Sequence, residues 1–290
     1  MRDRLIKGII FDGLARVTVI DITDIVNKEI KMHNLSPLAA AALGRAMTAG
    51  VYISANLKNK KDSFSISIKG GGEIGNIIVA GESGNFVRGY VENPIVNLPL
   101  KENGHLDVGK AVGADGFITV IKDMGLKEPY IGRTELVSGE IAQDFTKYLY
   151  VSEGVRNAVA LGVKMIKDGS IGAGGVIVEA LPDLKSDEKL FMLEDIMTNF
   201  TEISDIIAKK SVEEIFDFFF GHLDAKKFEV EKVNLRCSCS EQKIAGIVQG
   251  LGKAEAYGII KEMGKIEIKC QFCNKDYIYT EQDVNKLWAE

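Results

Sequence analysis

All four cysteines of this 290-residue chain lie in its last fifth, between positions 237 and 273. They form two short pairs, Cys237-Ser-Cys239 and Cys270-Gln-Phe-Cys273, which are separated by thirty residues. A secreted disulfide scaffold is usually shorter and has its cysteines spread along the chain. Clustering at one end therefore indicates a metal site or redox chemistry.

Two close cysteine pairs on distant segments supply the four soft ligands that Zn²⁺ binds in a tetrahedron. We therefore predict one tetrathiolate zinc site, with the ligands Cys237, Cys239, Cys270 and Cys273. The elements near the pairs are short, since Gly252 and Gly264 bracket a predicted helix and residues 266–270 and 276–279 predict a hairpin. A region of about 60 residues with so little core is marginal without a staple, so metal binding should contribute to its folding.

Closed four-cysteine zinc sites are usually structural, and a zinc ribbon that only holds the tail together is one interpretation. The spacing of the first cysteine pair favours a different interpretation, a redox-sensitive site. Cysteines at i and i+2 of an extended segment face the same way with Cα atoms about 6.6 Å apart, near the upper limit for a disulfide. Such a disulfide needs a local kink and should be readily reduced. The four thiolates are then two dithiols masked by zinc, and oxidation would release the metal and unfold what it held.

The first 180 residues mix strand and helix patterns. Residues 16–22, 63–69 and 116–121 have the alternation or the β-branched content of strands. Ser36 is a good N-cap, Pro37 suits the first helical position, and the Ala-rich run to about Ala49 predicts a buried helix. Residues 138–151 predict a further helix, with one apolar face formed by Ile141, Phe145, Tyr148 and Leu149. Because helices and strands do not alternate regularly, we predict an α+β domain dominated by antiparallel strands.

The pattern changes after Pro182. The polar residues 183–189 precede a long helical pattern whose apolar positions recur at three- and four-residue spacing: Leu190, Leu193, Met197, Phe200, Ile203 and Ile207. A second helix is predicted to begin at Ser211, which forms a capping box with Glu214. We predict a core domain over 1–180, a helical linker over 181–230 and a small zinc-binding domain over 231–290.

Charge and hydropathy exclude several classes of protein. With 36 Lys and Arg against 41 Asp and Glu, the net charge is −5, which argues against a general nucleic-acid binder or an anionic membrane surface as partner. The short apolar run at 8–11 is interrupted by Asp12, so it is a poor secretory signal. No stretch approaches the ~18 uninterrupted apolar residues of a membrane span. We expect a cytoplasmic protein with no nucleic-acid or membrane partner.

The cysteine region, over 235–240 and 264–284, closely resembles that of the heat shock protein 33 family, the redox-regulated bacterial chaperones. The resemblance continues in the first domain, at Gly-Asn-Phe-Val-Arg-Gly-Tyr-Val (84–91), Glu-Pro-Tyr-Ile-Gly (128–132) and Ala-Val-Ala-Leu-Gly-Val (158–163). It covers essentially the whole chain. Local departures occur at residues 152–156, at Glu179, and at Gln242 and Lys243.

The resemblance implies a mechanism and partners. The reduced, zinc-bound protein would be inactive as a chaperone, and oxidation would form the disulfides Cys237–Cys239 and Cys270–Cys273 with release of zinc. The linker and the C-terminal region would then lose structure, and the chain would form a homodimer and hold unfolding client proteins. It would not be an enzyme.

An apolar helix face usually packs on a core, but the same face can bind unfolded chains once it is exposed. We therefore predict that the linker carries masked client contacts, namely Phe200, Phe216, Phe218, Phe219 and Phe220.

Two other classes remain as alternatives. A nucleic-acid-binding zinc ribbon should have a basic excess, whereas residues 231–290 have nine Lys and Arg and nine Asp and Glu. A thiol–disulfide oxidoreductase usually has its Cys-x-x-Cys at a helix N-terminus, whereas β-type residues flank this one. The glycines of 70–75 match a dinucleotide fingerprint, but β-branched residues follow where a helix is required. His33, His105 and His222 share no motif with a nucleophile.

Overall fold

The computed structural model describes residues 2–167 and 169–288, which form two compact units, Met1–Arg236 and Cys237–Glu290. The strands of the first unit are β1 (Arg4–Ile10), β2 (Ala15–Asp21), β3 (Ser63–Lys69), β4 (Ile77–Glu82), β5 (Phe86–Val91), β6 (Phe117–Asp123), β7 (Tyr130–Glu135), β8 (Arg156–Ile166), β9 (Gly169–Ala180), β10 (Lys226–Lys227), β11 (Glu231–Lys232) and β12 (Asn234–Leu235). Its helices are α1 (Thr23–His33), α2 (Pro37–Asn56), α3 (Val108–Val112), α4 (Ala142–Glu153), α5 (Asp187–Thr198), α6 (Ile203–Lys209) and α7 (Val212–Phe220).

The second unit contains α8 (Glu241–Gly250), α9 (Lys253–Met263), β13 (Ile266–Lys269), β14 (Asp276–Tyr279) and α10 (Glu281–Leu287). The helix bracketed by Gly252 and Gly264 and the hairpin after it are confirmed. Helices α8 and α10 were not predicted. Each begins at a side-chain cap, since Ser240 accepts from the Lys243 N–H and Thr280 forms a capping box with Asp283.

Strands of the first unit form two sheets among the described residues. The first sheet has the order β10-β1-β2-β9-β8, with β11 also on β1, and every pairing is antiparallel. The second sheet has the order β12-β5-β4-β3-β6-β7, in which β12 and β5 are the one parallel pair. The three predicted strands are confirmed as β2, β3 and β6, and so is the α+β class.

Helix α2 is the centre of the main core and packs against strands of both sheets. Its predicted start is confirmed, because the Ser36 side chain accepts from the Ala39 N–H at 3.3 Å and Pro37 follows. The helix continues past Ala49 to Asn56, since Val51, Tyr52 and Ile53 are all buried. It is long and apolar enough to cross a membrane, but 89% of that stretch is buried in the protein, as in the core helix of a globular domain.

The helix predicted over 138–151 begins later than expected, at Ala142. The buried Asp144 carboxylate accepts hydrogen bonds from the backbone N–H groups of Val137, Ser138 and Ile141. These bonds hold the preceding residues in a loop, and Ile141 has a φ of +68°. The predicted apolar face is confirmed, because all four of its residues are buried: Ile141, Phe145, Tyr148 and Leu149.

The first sheet has two apolar faces, because its side chains alternate. Leu5 and Ile20 point into the main core with α2, whereas Ile6, Val17 and Val19 belong to a second core. The helices of the predicted linker cover this second face. The buried residues of these helices and of the turn between α5 and α6 that belong to the second core are Leu193, Phe200, Ile203, Ile207, Val212, Ile215, Phe216 and Phe220.

The long helical pattern over 190–207 is one helix in the prediction and two in the structure, α5 and α6. The chain turns between them, where the Asn199 side-chain amide donates to the carbonyl oxygens of Asp195 and Ile196. The apolar spacing was correct, since Phe200 in the turn is buried as well. The capping box of Ser211 and Glu214 is confirmed at the start of α7.

Two glycines of the first sheet let these helices approach its backbone. A Cβ added at Gly8 of β1 would overlap the Phe216 ring, and one at Gly172 of β9 would overlap the Ser204 carbonyl oxygen of α6. The overlap at Gly172 involves helix backbone, so no side-chain rotation can relieve it. Close packing of α6 on the sheet therefore requires glycine at this position.

Residues 226–236, which we term the strap, follow the linker helices and end next to the first cysteine. The strap pairs with β1 through β10 and β11 and with β5 through β12. At its end the Arg236 guanidinium lies 3.5 Å from the centre of the Phe86 ring and forms an ion pair with Glu82. The strap thus holds the chain between the linker and Cys237 on both sheets of the first unit.

Candidate metal centre

The second unit has little apolar core of its own. Its buried apolar residues among those described are Ile244, Val248, Ala256, Ile260, Ile266, Tyr277 and Val284. Several large apolar side chains are instead exposed, including Ile247, Met263 and Ile278. Burial of seven apolar side chains is a small driving force for ordering more than fifty residues. The unit needs a further source of stability.

The two cysteine pairs come from segments with different local structure. Cys237 and Cys239 lie in the extended stretch before α8, while Cys270 and Cys273 lie in the turn between β13 and β14. In that turn the Cys270 N–H donates to the Lys275 carbonyl at 3.0 Å, and the Asn274 N–H donates to the Cys270 carbonyl at 2.8 Å. The hairpin therefore fixes the second pair. It also places Cys270-x-x-Cys273 in a turn between two strands and not in the first turn of a helix, unlike the motif of a thiol–disulfide oxidoreductase.

The structure brings all four predicted ligands together. Their Sγ atoms lie within 4.8 Å of one another, and none of the cysteines is in a disulfide. Two close contacts join the two segments: 3.6 Å between the Sγ atoms of Cys237 and Cys270, and 3.4 Å between those of Cys239 and Cys273.

A tetrahedron with Zn–S bonds of ~2.3 Å has sulfur–sulfur edges of about 3.8 Å. The observed separations are close to that value, and four soft sulfur donors are a set that zinc prefers over harder cations. The residues present therefore fit one tetrahedral zinc ion, which Cys237, Cys239, Cys270 and Cys273 would hold.

Burial and hydrogen bonds to sulfur shift the pKa values of three of these thiols in different directions. Burial raises the pKa of the Cys237 thiol, although the Cys239 N–H donates to its sulfur. Burial also raises the pKa of Cys273, against a hydrogen bond from the Lys275 N–H. At Cys239 the effect of burial is outweighed by hydrogen bonds from the Tyr277 hydroxyl and from Cys237, which lower the pKa to about 7. One thiol of the cluster is thus prepared to become the anionic form that binds metal and reacts with oxidants.

Tyr277 is a contributor to the site that the sequence analysis did not identify. Its hydroxyl donates to the Cys239 Sγ at 3.1 Å. Alternation along β14 could have placed it, because Tyr277 lies on the opposite side of the strand from the exposed Ile278.

The five predicted client contacts of the linker differ in exposure. Phe200, Phe216 and Phe220 are buried, and Phe219 is half-buried against the Phe200 ring. Phe218 is 67% exposed, with the Lys210 ammonium above its ring. It is therefore already accessible, and only the other four are masked in this state.

The glycine-rich segment at 70–75 is followed by strand β4. A dinucleotide fingerprint requires a helix at that position, so the segment lacks the structural context of such a site. Gly70 and Gly72 instead pack against the backbone of Ala111, Val112 and Gly113.

Comparisons of this chain with a family model and with known proteins agree on one family. A model of the family described as Hsp33 protein matches residues 3–280. The chain is 41% identical to the 33 kDa chaperonin of Clostridium perfringens strain SM101, over all of this chain and 92% of that protein. It is 40% identical to the 33 kDa chaperonin of Caldanaerobacter subterraneus subsp. tengcongensis, over 100% and 99% of the two chains.

A solved structure is also similar. The crystal structure of the 33 kDa chaperonin (heat shock protein 33 homolog) from Thermotoga maritima has a TM-score of 0.90 and is 32% identical. The similarity covers 98% of this chain and 97% of that one.

The geometry predicts that the second unit folds around one metal ion. Loading the reduced chain with Co²⁺ should give the intense visible absorption of a tetrahedral thiolate site at one ion per chain. Removing the metal with a chelator should abolish amide protection in α9 and β13, while β2 and α2 stay protected, because the first unit has its own core. Hydrogen exchange measures the loss of protection in the second unit and its retention in the first.

A Cys273→Ser variant should weaken and shift the cobalt spectrum, and Ser238→Ala, between the first pair, serves as the matched control. Weak absorption typical of octahedral cobalt, or a second unit that stays protected without metal, would contradict this assignment.

Proposed function

The chain belongs to the Hsp33 family, and we propose that it is a molecular chaperone of the holdase type, controlled by the oxidation state of its four cysteines. In this proposal the reduced, metal-bound chain is inactive and the oxidised chain binds unfolding proteins. A chaperone role is supported by the family and by the names of its relatives, the 33 kDa chaperonins. The redox control is supported by the site.

One observation carries the proposal. Four reduced thiols meet within 4.8 Å, in a unit with few buried apolar residues of its own. A site of this kind makes folding depend on thiol chemistry, because the ligand atoms and the oxidisable atoms are the same four sulfurs. When bound, zinc supplies a centre that holds the two segments together and keeps the four thiolates from pairing.

Disulfides within each pair, Cys237–Cys239 and Cys270–Cys273, are the pairing that the family resemblance implies. Their effect on the fold supports this choice. A disulfide within one segment removes two metal ligands without joining the two segments, so no bond replaces the metal that held them together. Disulfides between the two segments, such as Cys237 with Cys270, would keep the segments together and preserve the fold.

We propose that the linker loses its packing on the first unit when the second unit loses its structure. Its helices cover the second apolar face of the first sheet, and the strap connects them directly to Cys237. Loss of structure after position 236 would leave the strap held by short strands of two residues each. Release of the strap and linker would expose Phe200, Phe216, Phe219 and Phe220 as well as the sheet face beneath them, and exposed apolar surface of this kind binds unfolded chains.

The same exposed surface would support the homodimer that we propose for the oxidised state. We further propose that the protein works in the cytoplasm, where reduced thiols and zinc sites are maintained, that its partners include neither nucleic acid nor membrane, and that it has no enzymatic turnover.

Suppression of client aggregation tests the function. Light scattering from a thermally unfolding client protein should fall with the peroxide-treated chain and stay high with an equimolar amount of the reduced, zinc-loaded chain. Equal suppression by both samples, or by neither, would show that the cysteines do not regulate a holdase. An insulin-reduction assay should show stoichiometric oxidation of this chain without turnover, whereas turnover would indicate an oxidoreductase.

A substitution far from the cysteines separates linker release from thiol chemistry. Gly172→Ala should force α6 away from β9, because the new Cβ overlaps its backbone, and should weaken linker packing by about 2 kcal/mol. We expect the reduced, zinc-loaded variant to suppress client aggregation without oxidant. Hydrogen exchange should show loss of protection in α6 and retention in α9.

The matched control is Gly258→Ala, since a Cβ at Gly258 meets no atom within 4 Å. If Gly172→Ala loses protection in α6 and still requires peroxide for chaperone activity, the linker does not mask the client surface.

A further inference from the structure

Helix α6 lies between the other two linker helices along the chain and packs closely on the first sheet. A Cβ added at Gly162 of β8 would lie 2.8 Å from the Ile203 side chain, and one at Gly172 of β9 would overlap the Ser204 carbonyl oxygen. Ile203 and Ile207 are buried in the second core. Exposure of this sheet face therefore requires α6 to separate from β8 and β9.

The C-terminal end of α6 is held by Arg2, which lies just before β1. The Arg2 guanidinium donates to the carbonyl oxygens of Ile207 at 2.5 Å and of Ala208 at 3.0 Å. Carbonyl groups in the last turn of a helix have no partner within the helix, and an arginine side chain can supply one. The same guanidinium donates to the Asp21 carboxylate at 3.0 Å. Arg2 thus joins α6 to the end of β2.

Asp21 is firmly attached to the first sheet. Its side chain is 5% exposed, and one carboxylate oxygen accepts from the backbone N–H and from the hydroxyl of Thr23, at 2.9 and 2.7 Å. The Thr23 hydroxyl oxygen accepts in turn from the Ala173 N–H of β9 at 3.0 Å. A buried carboxylate is costly without a paired cation, so Arg2 stays bound to Asp21 when α6 is free. Departure of the linker therefore breaks only the bonds from Arg2 to α6.

A second ion pair between the sheet and α6 is more exposed. Lys164 of β8 pairs with Asp205 at 2.6 Å, but the two side chains are 41% and 30% exposed, so water screens much of their attraction. Arg2 instead combines a buried carboxylate with charge-assisted hydrogen bonds to two carbonyl oxygens. We therefore expect Arg2 to contribute more than Lys164 to the packing of α6.

We propose that Arg2 and Asp21 form a latch, termed the Arg2 latch, that holds the linker on the first sheet in the reduced state. The latch also determines how readily α6 leaves the sheet once the metal is lost. This inference rests on the proposed function and adds to it a point of control within the first unit. Because the latch contains no metal ligand, it acts on the step that follows thiol oxidation and not on the oxidation itself.

Hydrogen exchange of the full-length, reduced, zinc-loaded chain tests the contact. In Arg2→Gln the fraction of molecules with α6 open to exchange should rise about ten-fold, the effect of losing charge-assisted hydrogen bonds. Helices α2 and α9 should keep their protection. The matched control is Arg133→Gln, which removes an exposed arginine from β7 of the second sheet and should leave α6 unchanged. Unchanged protection of α6 in Arg2→Gln would overturn the latch.

The time course after peroxide tests the step on which the latch acts. A colorimetric zinc chelator should report the same rate of zinc release from Arg2→Gln and from the unsubstituted chain, while suppression of client aggregation should appear earlier in the variant. Faster zinc release, or activity that appears at the same time in both chains, would contradict the proposal. If the unsubstituted chain gains no activity with peroxide, the proposed function fails, and hydrogen exchange still decides whether Arg2 holds α6.

A second variant tests whether the two residues act as a unit. Asp21→Asn keeps an oxygen that can accept from Thr23 but replaces the oxygen that Arg2 contacts by an amide nitrogen, which cannot accept. Because both substitutions break the same contact, the double variant should open α6 no more than the more severe single variant. Opening by the product of the two single effects would show that Arg2 and Asp21 act independently and would overturn the latch.

Discussion

The convergence of four sulfurs is the interaction on which the second unit depends. Its segments contribute few buried apolar side chains, and the thiols of Cys237 and Cys239 meet those of Cys270 and Cys273 at separations close to the edges of a zinc–thiolate tetrahedron. In the proposed function the fold depends on the chemistry of the thiols, because the atoms that would hold the metal are also those that an oxidant would attack. If the second unit had a larger apolar core, it would stay folded without the metal, and oxidation of the cysteines would not change its structure.

The first unit supplies what such a switch could control. One sheet has two apolar faces, of which the inner is covered by the core helix α2 and the outer by the helices that follow β9. Glycine at positions 8 and 172 lets those helices approach the sheet closely, and the strap continues from them to the first cysteine. The outer layer has its own apolar core, separate from the core around α2, so it can be lost while the core around α2 stays folded.

Local patterns predicted much of this structure. The strand over 63–69, the cap at Ser36, the capping box at Ser211 and the hairpin around Cys270 all follow from nearest-neighbour rules, and the cysteine spacing identified the four residues that come together. The departures arise from contacts distant in sequence or from side-chain detail. Asp144 shortens α4 from inside the fold, tertiary burial extends α2, and the bond from Tyr277 to Cys239 joins residues 38 positions apart. Exposure of Phe218 likewise depends on how α7 rotates onto the sheet, which its uniform run of phenylalanines does not determine.

The central claim is that thiol oxidation in the second unit controls packing of the linker in the first. Hydrogen exchange of the full-length chain, zinc-loaded and then treated with peroxide, tests it most directly. Amide protection should be lost over 187–220 together with 237–288, while β2, β9 and α2 remain protected. Loss of protection confined to 237–288, with α5, α6 and α7 unchanged, would show that the cysteines govern only their own unit and would contradict the account.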